Sequence, residues 1–318
     1  MITASLDGHL EVVRFLADRG ADIRVRDDEC VHLALAYGHL EVARFLVERG
    51  ADIRARIVST VRSASASGHL ASVRYLVEEC GVVVCAQHAD NCLSGASRSG
   101  NLELVQYLVG LGANILAHLR ECVIEASASG SMPLVQYLVE LGADISGDAG
   151  GECMAEATRY GRMAFIRYAV ENVADYRAHL GICIYRATGW GHEAITRYLV
   201  GIGADIYAEN SSCARGAILM RDEVNTEPVI RYLIALGADL RKCRDVLASR
   251  ATYFSPGFPE RLAALGAPPP AIAEDCARAA RRVYFWWVPR GYALRRRSGR
   301  RLRKQNCLAF LRLCAFTN

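Results

Sequence analysis

The chain has 318 residues, 52% of them hydrophobic and 23% charged, with a formal charge of +4. That composition supplies ample core for an ordered protein. Its longest apolar runs, Val283–Val288 and Cys307–Phe316, are far too short to span a bilayer, and the opening MITASLDGHLEVV lacks the charged-then-apolar layout of a secretion signal.

In chain order, one segment of about thirty residues keeps returning. Gly8 opens GHLEVVRFLADRGADIR, Gly38 GHLEVARFLVERGADIR, Gly68 GHLASVRYLVEEC, Gly100 GNLELVQYLVGLGANI, Gly130 GSMPLVQYLVELGADI, Gly161 GRMAFIRYAVENVAD and Gly191 GHEAITRYLVGIGADI. A fainter copy, EPVIRYLIALGADL, ends at Leu240, and FPERLAALGA ends at Ala267. Units of this length bury their apolar faces only against neighbours, so residues 1–267 are predicted to form one stacked array of about eight to nine units, the first and last degenerate. The first unit begins almost at its second helix, leaving Met1–Leu6 as an abbreviated cap and leaving open whether the chain is part of something longer.

Each unit reads as two short antiparallel helices. The second carries apolar residues at helical spacing, as in Leu40, Val42, Phe45, Leu46 and Val47, or Leu102, Val105, Tyr107, Leu108 and Val109. Glycines such as Gly38 and Gly50 supply left-handed residues that close the helices. Pro133 suits the first turn of its helix. Before Val229 the leading glycine is missing, and Thr226 with Pro228 is expected to serve as N-cap and first-turn proline. The first helix is rich in small residues, including Ser63–Ser67 and Ala126–Ser129, which let neighbouring helices approach closely.

Two columns run through the units. Cys30, Cys92, Cys122, Cys153, Cys183, Cys213 and Cys243 share one position, with Thr60 in their place in one unit, and each cysteine is followed four residues later by a small residue or, at Leu247, a leucine. Neighbouring helices stand ~8–10 Å apart, beyond the ~7 Å limit for bridged Cα atoms, so the column reads as buried packing. Phe15, Phe45, Tyr75, Tyr107, Tyr137, Tyr168, Tyr198 and Tyr232 read as core or core edge. The residues before them, Arg14, Arg44, Arg74, Gln106, Gln136, Arg167, Arg197 and Arg231, are expected on the outer, solvated face. Cysteines that follow a packing period favour a reducing compartment inside a cell.

The third unit is longer, and Cys80, Cys85, His88 and Cys92 fall within thirteen residues. Three thiols and an imidazole are the ligand types of a tetrahedral zinc site. Their spacing is not that of a common zinc finger, and Cys92 already belongs to the packing column, so no metal is assigned. Catalytic patterns are missing too. His192-Glu193 lacks the second histidine of a metalloprotease helix, and Gly110-Leu-Gly112 and Gly201-Ile-Gly203 are helix-end glycines rather than phosphate loops. No enzyme activity, cofactor or small-molecule substrate is expected.

Pro268–Pro270 end the array, and residues 268–318 read as a cap helix, AIAEDCARAARRVYF, followed by a basic tail. Ten residues between Arg281 and Lys304 are basic and none is acidic. The run suits a solvated tail docking on an acidic partner. It also suits, though less well, a nuclear-targeting or nucleic-acid patch built on Arg290, Arg295, Arg296, Arg297, Arg300, Arg301, Arg303 and Lys304, with Trp286, Trp287 or Tyr292 to stack on bases. A third reading is an amphipathic membrane-surface segment. Only Lys242 and Lys304 are lysines. This fits either a GC-rich genome or a surface that resists modification beside a ubiquitin ligase.

GHLEVVRFLADRGADI resembles the second half of an ankyrin repeat, and the pattern extends over residues 1–267. The RYLV and QYLV variants and the short period are most similar to the ankyrin arrays of giant DNA viruses. The Thr-Pro-Leu-His signature of the first helix survives only as Val31-His32. The linkers are about three residues shorter than the family norm, so its β-hairpin fingers are expected to shrink to tight loops. The resemblance implies an all-α ankyrin-type solenoid of stacked helix-turn-helix repeats with shortened inter-repeat loops and a helical C-terminal cap. It also implies a viral product that engages host proteins, as an adaptor, in the host cytoplasm or nucleus. A concave face of first helices and linker tips would contact the partner protein. Candidate contacts are the polar positions at which the units differ: Arg24, Arg26, Asp27 and Asp28; Arg54 and Arg56; His118 and Arg120; Asp148; Arg177 and His179; Tyr207 and Glu209.

Overall fold

The computed structural model describes residues 1–82, 86–173, 175–219 and 223–243, with residues 262, 264 and 265. These residues form sixteen α-helices and no strand. The chain divides into two compact units, Met1–Tyr176 and Arg177–Asn318.

In the first unit the helices come in pairs: α1 (Ile2–Leu6) and α2 (Leu10–Asp18), α3 (Val25–Ala36) and α4 (Leu40–Glu48), α5 (Ile57–Ala66) and α6 (Leu70–Arg74), α7 (Ala86–Ser99) and α8 (Leu102–Gly110), α9 (Leu119–Ser129) and α10 (Met132–Glu140), α11 (Gly147–Arg159) and α12 (Met163–Asn172). α6 continues as a π-helical turn, Tyr75–Glu79. The odd-numbered helices pack in series, α1 on α3, α3 on α5, and onward to α11, while each even helix lies against its own partner. Small side chains permit this close layer. A Cβ on Gly95 of α7 would sit 3.1 Å from the Ala66 Cα of α5. The second unit repeats the plan with α13 (Leu180–Gly189), α14 (Glu193–Gly201), α15 (Ala208–Leu219) and α16 (Glu223–Ala235), where α13 packs on α15 and α14 on α16.

The helical stripe read from the sequence is buried in part, with Leu40, Val47, Leu102, Tyr107 and Val109 half-buried. Val42, Ala43, Phe45 and Leu46 of α4, and Leu104, Val105 and Leu108 of α8, are buried. Burying each large aliphatic side chain contributes about 1.5–3 kcal/mol. The joint between paired helices is made by glycine. Gly38 has φ +82°, its N–H donates to Leu35 O and the next N–H, of His39, donates to Ala34 O at 2.7 Å, which closes α3. Space excludes any side chain there as well, since a Cβ on Gly38 would fall 2.5 Å from His69 Nδ1 of the next pair.

Two sequence expectations need correction. α16 starts at Glu223, so Thr226 is buried within the helix rather than capping it, and Pro228 lies inside. Continuing helical backbone ahead of Thr226 leaves it no N-cap role. Phe15 is 57% exposed, unlike its equivalents Phe45 and Tyr75, which the arginine and helices of a preceding pair cover. Pro133 does occupy the first turn of α10. The last copy of the repeat, residues 258–267, is outside the described residues except at 262, 264 and 265, as are all of residues 268–318.

Candidate partner-binding surface

Most linkers are built by the sequence Gly-Ala-Asp/Asn, the exceptions following Cys80 and Asn172. The alanine is buried at Ala51, Ala113, Ala143 and Ala204 and pins the loop to the stack. The acid folds the loop onto itself: Asp22 accepts from Arg24 N at 2.9 Å, Asp52 from Arg54 N at 2.9 Å, Asp144 from Ser146 N at 2.8 Å and Asp205 from Tyr207 N at 2.8 Å. A short polar side chain that mimics a backbone turn explains why this position recurs. Beyond it run 3₁₀ turns, at Ile53–Arg56, Ile115–His118 and Leu240–Cys243. The linkers are tight loops, as their length implied; the side chain after the acid turns inward at Ile115, Ile206 and Leu240, and the next one is exposed at Arg24, Arg54, Leu116, Ser146 and Tyr207.

The first two linkers form one cluster. Arg26, Asp27 and Asp28 all have left-handed backbone, with φ of +54°, +55° and +61°. Non-glycine residues there cost of order 1 kcal/mol each, so neighbouring contacts must hold them. Two such contacts are present. The Arg56 guanidinium donates to Arg26 O at 3.2 Å and lies 3.9 Å from Asp27. Asp28 is 4% exposed, its Oδ1 accepts the Asp52 N–H at 3.1 Å, and Arg24 sits 3.5 Å away. The repeat pattern predicts Asp28 as a contact residue, but burial commits it to joining two linkers. Arg24, Arg26, Arg54 and Arg56 remain exposed.

Further along, His118 precedes α9 and lies 3.9 Å from Glu121, Arg120 pairs with Glu152 of α11 at 3.0 Å, and Asp148 is exposed in the first turn of α11. In the second unit Arg177 is exposed and His179 half-buried, with its Nε2 buried and without a hydrogen bond among the described residues. Tyr207 is 46% exposed while its hydroxyl donates to Leu236 O at 3.3 Å. Glu209 belongs to α15, and its side chain is outside what is described, as are Arg290, Arg295, Arg296, Arg297, Arg300, Arg301, Arg303 and Lys304.

The thiol column is interior. Cys30, Cys92, Cys122, Cys153, Cys183, Cys213 and Cys243 are free and buried. Burial pushes the thiols of Cys30, Cys92 and Cys122 up, and that of Cys153 up to about 12. Each of these four faces a serine hydroxyl of the preceding pair: Ser5, Ser65, Ser97 and Ser127. Among them, Ser5, Ser65 and Ser97 have no hydrogen bond of ordinary geometry, so the weakly polar thiol is their nearest match. Of the four residues with zinc-ligand chemistry, Cys92 faces Ser65, Cys80 adjoins Tyr75, and Cys85 is outside the described residues.

Sequence reading missed what the outer arginines do. Arg14 lies over Phe45 at 5.6 Å, Arg44 over Tyr75 at 4.7 Å, Arg74 over Tyr107 at 5.3 Å and Arg197 over Tyr232 at 4.1 Å, each reaching the ring of the following pair. Glu79 pairs with Arg44 and, with burial of the Tyr75 phenol, closes that contact. The Arg-aromatic dipeptide of most units was visible, but the ring its arginine covers is one repeat away. Beside this contact Arg54 edges a shallow, open depression shared with Arg44, Tyr75, Glu79 and Cys80. Among the described residues no three His, Cys, Asp or Glu side chains are grouped to hold a metal ion. No described helix is long and apolar enough to cross a membrane.

No curated protein matches the chain. Residues 1–57 match the family model described as ankyrin repeats, in three copies. With that match and the paired-helix architecture, the protein has an all-α ankyrin-type repeat fold, of the kind generally used for protein–protein interaction rather than catalysis.

Proposed function

We propose that this protein is a non-catalytic adaptor whose linker tips and first helices bind a partner protein. One observation carries the reading: the units share their interior columns, while the linkers differ in exposed charge, as at Arg26, Arg54, Arg120 and Asp148. A surface kept rigid by buried alanines and self-folding acids, yet varied at its tips, suits recognition of one macromolecule over others. The contacts are Arg24, Arg26, Arg54, Arg56, His118, Arg120 and Asp148 on the first unit, and Arg177, His179, Tyr207 and Glu209 on the second. The RYLV and QYLV variants support a viral product engaging host proteins, and the free buried thiols suit a reducing cellular compartment.

The test is photo-crosslinking from defined positions. Benzoylphenylalanine at Arg54 or Arg120 should capture a discrete partner from host-cell extract, whereas the same group at Glu11 or Glu41 on the second helices should not. Equal capture from all four positions would overturn the assignment. A second reading rests on the ten cations between Arg281 and Lys304 with no intervening acid. Nucleic-acid association through that tail would fall steeply with salt and vanish on deleting residues 290–304.

A further inference from the structure

The arginine-on-ring pattern is interrupted twice. In α2, α4, α6 and α14 an arginine covers the aromatic ring of the next pair, at 4.1–5.6 Å. In α8 and α10 the equivalent residues are Gln106 and Gln136, which are exposed and uncharged. The rings they precede in space, Tyr137 and Tyr168, are half-buried, and neither has a cation over it among the described residues. Tyr107 differs, since Arg74 covers its ring and its hydroxyl donates to Glu78 at 3.1 Å.

Charge points the same way. Among the described second helices α8 and α10 alone carry no basic residue, and they present exposed Glu103 and Glu140. Two electron-rich rings without a cation of their own, beside helices whose exposed charges are acidic, attract a cation from outside, as their counterparts attract one from within. Arginine fits better than lysine, because the planar guanidinium stacks on rings and is weakly hydrated. Neighbouring helices in a stack lie ~8–10 Å apart, and an extended strand advances about 3.3 Å per residue, so arginines three positions apart reach both rings.

We propose that Tyr137 and Tyr168, on and next to helices α8 and α10 that carry Glu103 and Glu140 and no basic residue, form a second docking surface for an extended protein segment of the form Arg-x-x-Arg. This surface is distinct from the linker tips and stands or falls separately from them.

The full chain is titrated into a fluorescein-labelled peptide, Gly-Ser-Arg-Gly-Ser-Arg-Ser-Gly, and into its counterpart with citrulline at both arginines, followed by fluorescence anisotropy. Saturable binding of the arginine peptide alone is expected. Tyr137→Leu with Tyr168→Leu, which leaves charge unchanged, should weaken it roughly tenfold. Gln106→Arg with Gln136→Arg fills both rings from inside, so it should abolish binding while raising Tm, and it keeps the test decisive if the leucine variant folds poorly. Arg54→Ala with Arg120→Ala should leave the titration unchanged. Absent binding by the wild-type chain, equal binding of the citrulline peptide, or undiminished binding by the Gln→Arg variant would each overturn the proposal.

Discussion

His32 Nδ1 lies 2.7 Å from Thr60 Oγ1, and this pair stands where other units set a serine against a cysteine. Thr60 donates its own proton to Arg56 O at 2.9 Å, so the imidazole must donate from Nδ1. The exchange is coordinated: Leu35 fills the position that holds Ser65, Ser97 or Ser127 in later units, leaving Thr60 to find its partner at His32. Thr60→Val should therefore cost about 1–3 kcal/mol, because His32 loses its acceptor in a half-buried site. Combining it with His32→Leu should recover part of that loss. Urea unfolding of both variants measures the coupling, and simple additivity would show that the pair does not interact.

The same histidine makes stability depend on pH. Burial, then the Arg56 charge, holds the His32 imidazole below its ordinary value, and burial with His39 does the same to His69. A depressed folded value means the unfolded chain binds protons first. The stabilisation is thus complete above about pH 6.5 and is lost as pH falls from there through each folded value. Urea midpoints should drop over that window, and His32→Gln should flatten part of the drop. An unchanged slope in the variant would remove His32 from the account.

Glycines at the two ends of a pair should differ in tolerance. Gly38 and Gly50 both have positive φ, at +82° and +96°. A side-chain carbon added at Gly50 would meet nothing within 4 Å, whereas at Gly38 the His69 ring is in the way. Gly50→Ala should cost roughly 1–2 kcal/mol of backbone strain. Gly38→Ala should cost distinctly more, from strain plus displacement of His69. Thermal melts that rank the two equally would contradict the packing role of the imidazole.

Thiol chemistry should separate the two kinds of cysteine. Cys30, Cys92, Cys122 and Cys153 are buried with raised thiols, while Cys80 is partly exposed. Iodoacetamide at neutral pH should modify Cys80 long before those four, and all of them together once urea is added. Rapid native labelling of Cys122 or Cys153, read by peptide mass mapping, would mean that the layer of first helices opens readily.

What the sequence made legible was whatever repeats. Leu46, Leu108 and Leu138 recur at one buried position of the unit, and Gly38 and Gly130 recur at helix ends, so helices, pairing and core could be read directly. Contacts between units were hidden, since Arg44 reaches Tyr75 and Asp28 reaches Asp52 across a whole repeat. Asp28 looks like any loop acid until its burial is seen. The left-handed run Arg26–Asp28 leaves no mark in composition, because contacts with Arg56 and Asp52 sustain it rather than glycine. Glu223 likewise begins its helix without an obvious start signal, and Pro228 misleads by suggesting one.

The facing of Ser65 on Cys92, and of Thr60 on His32, means that a unit's interior is matched to the particular neighbour it has. Shuffled modules would therefore fit badly: exchanging the second and fourth segments should cost more than the sum of their altered residues. Order along the chain is itself a constraint on how such a protein can change by duplication or loss, and blocks cut between a matched couple are the ones that should fail.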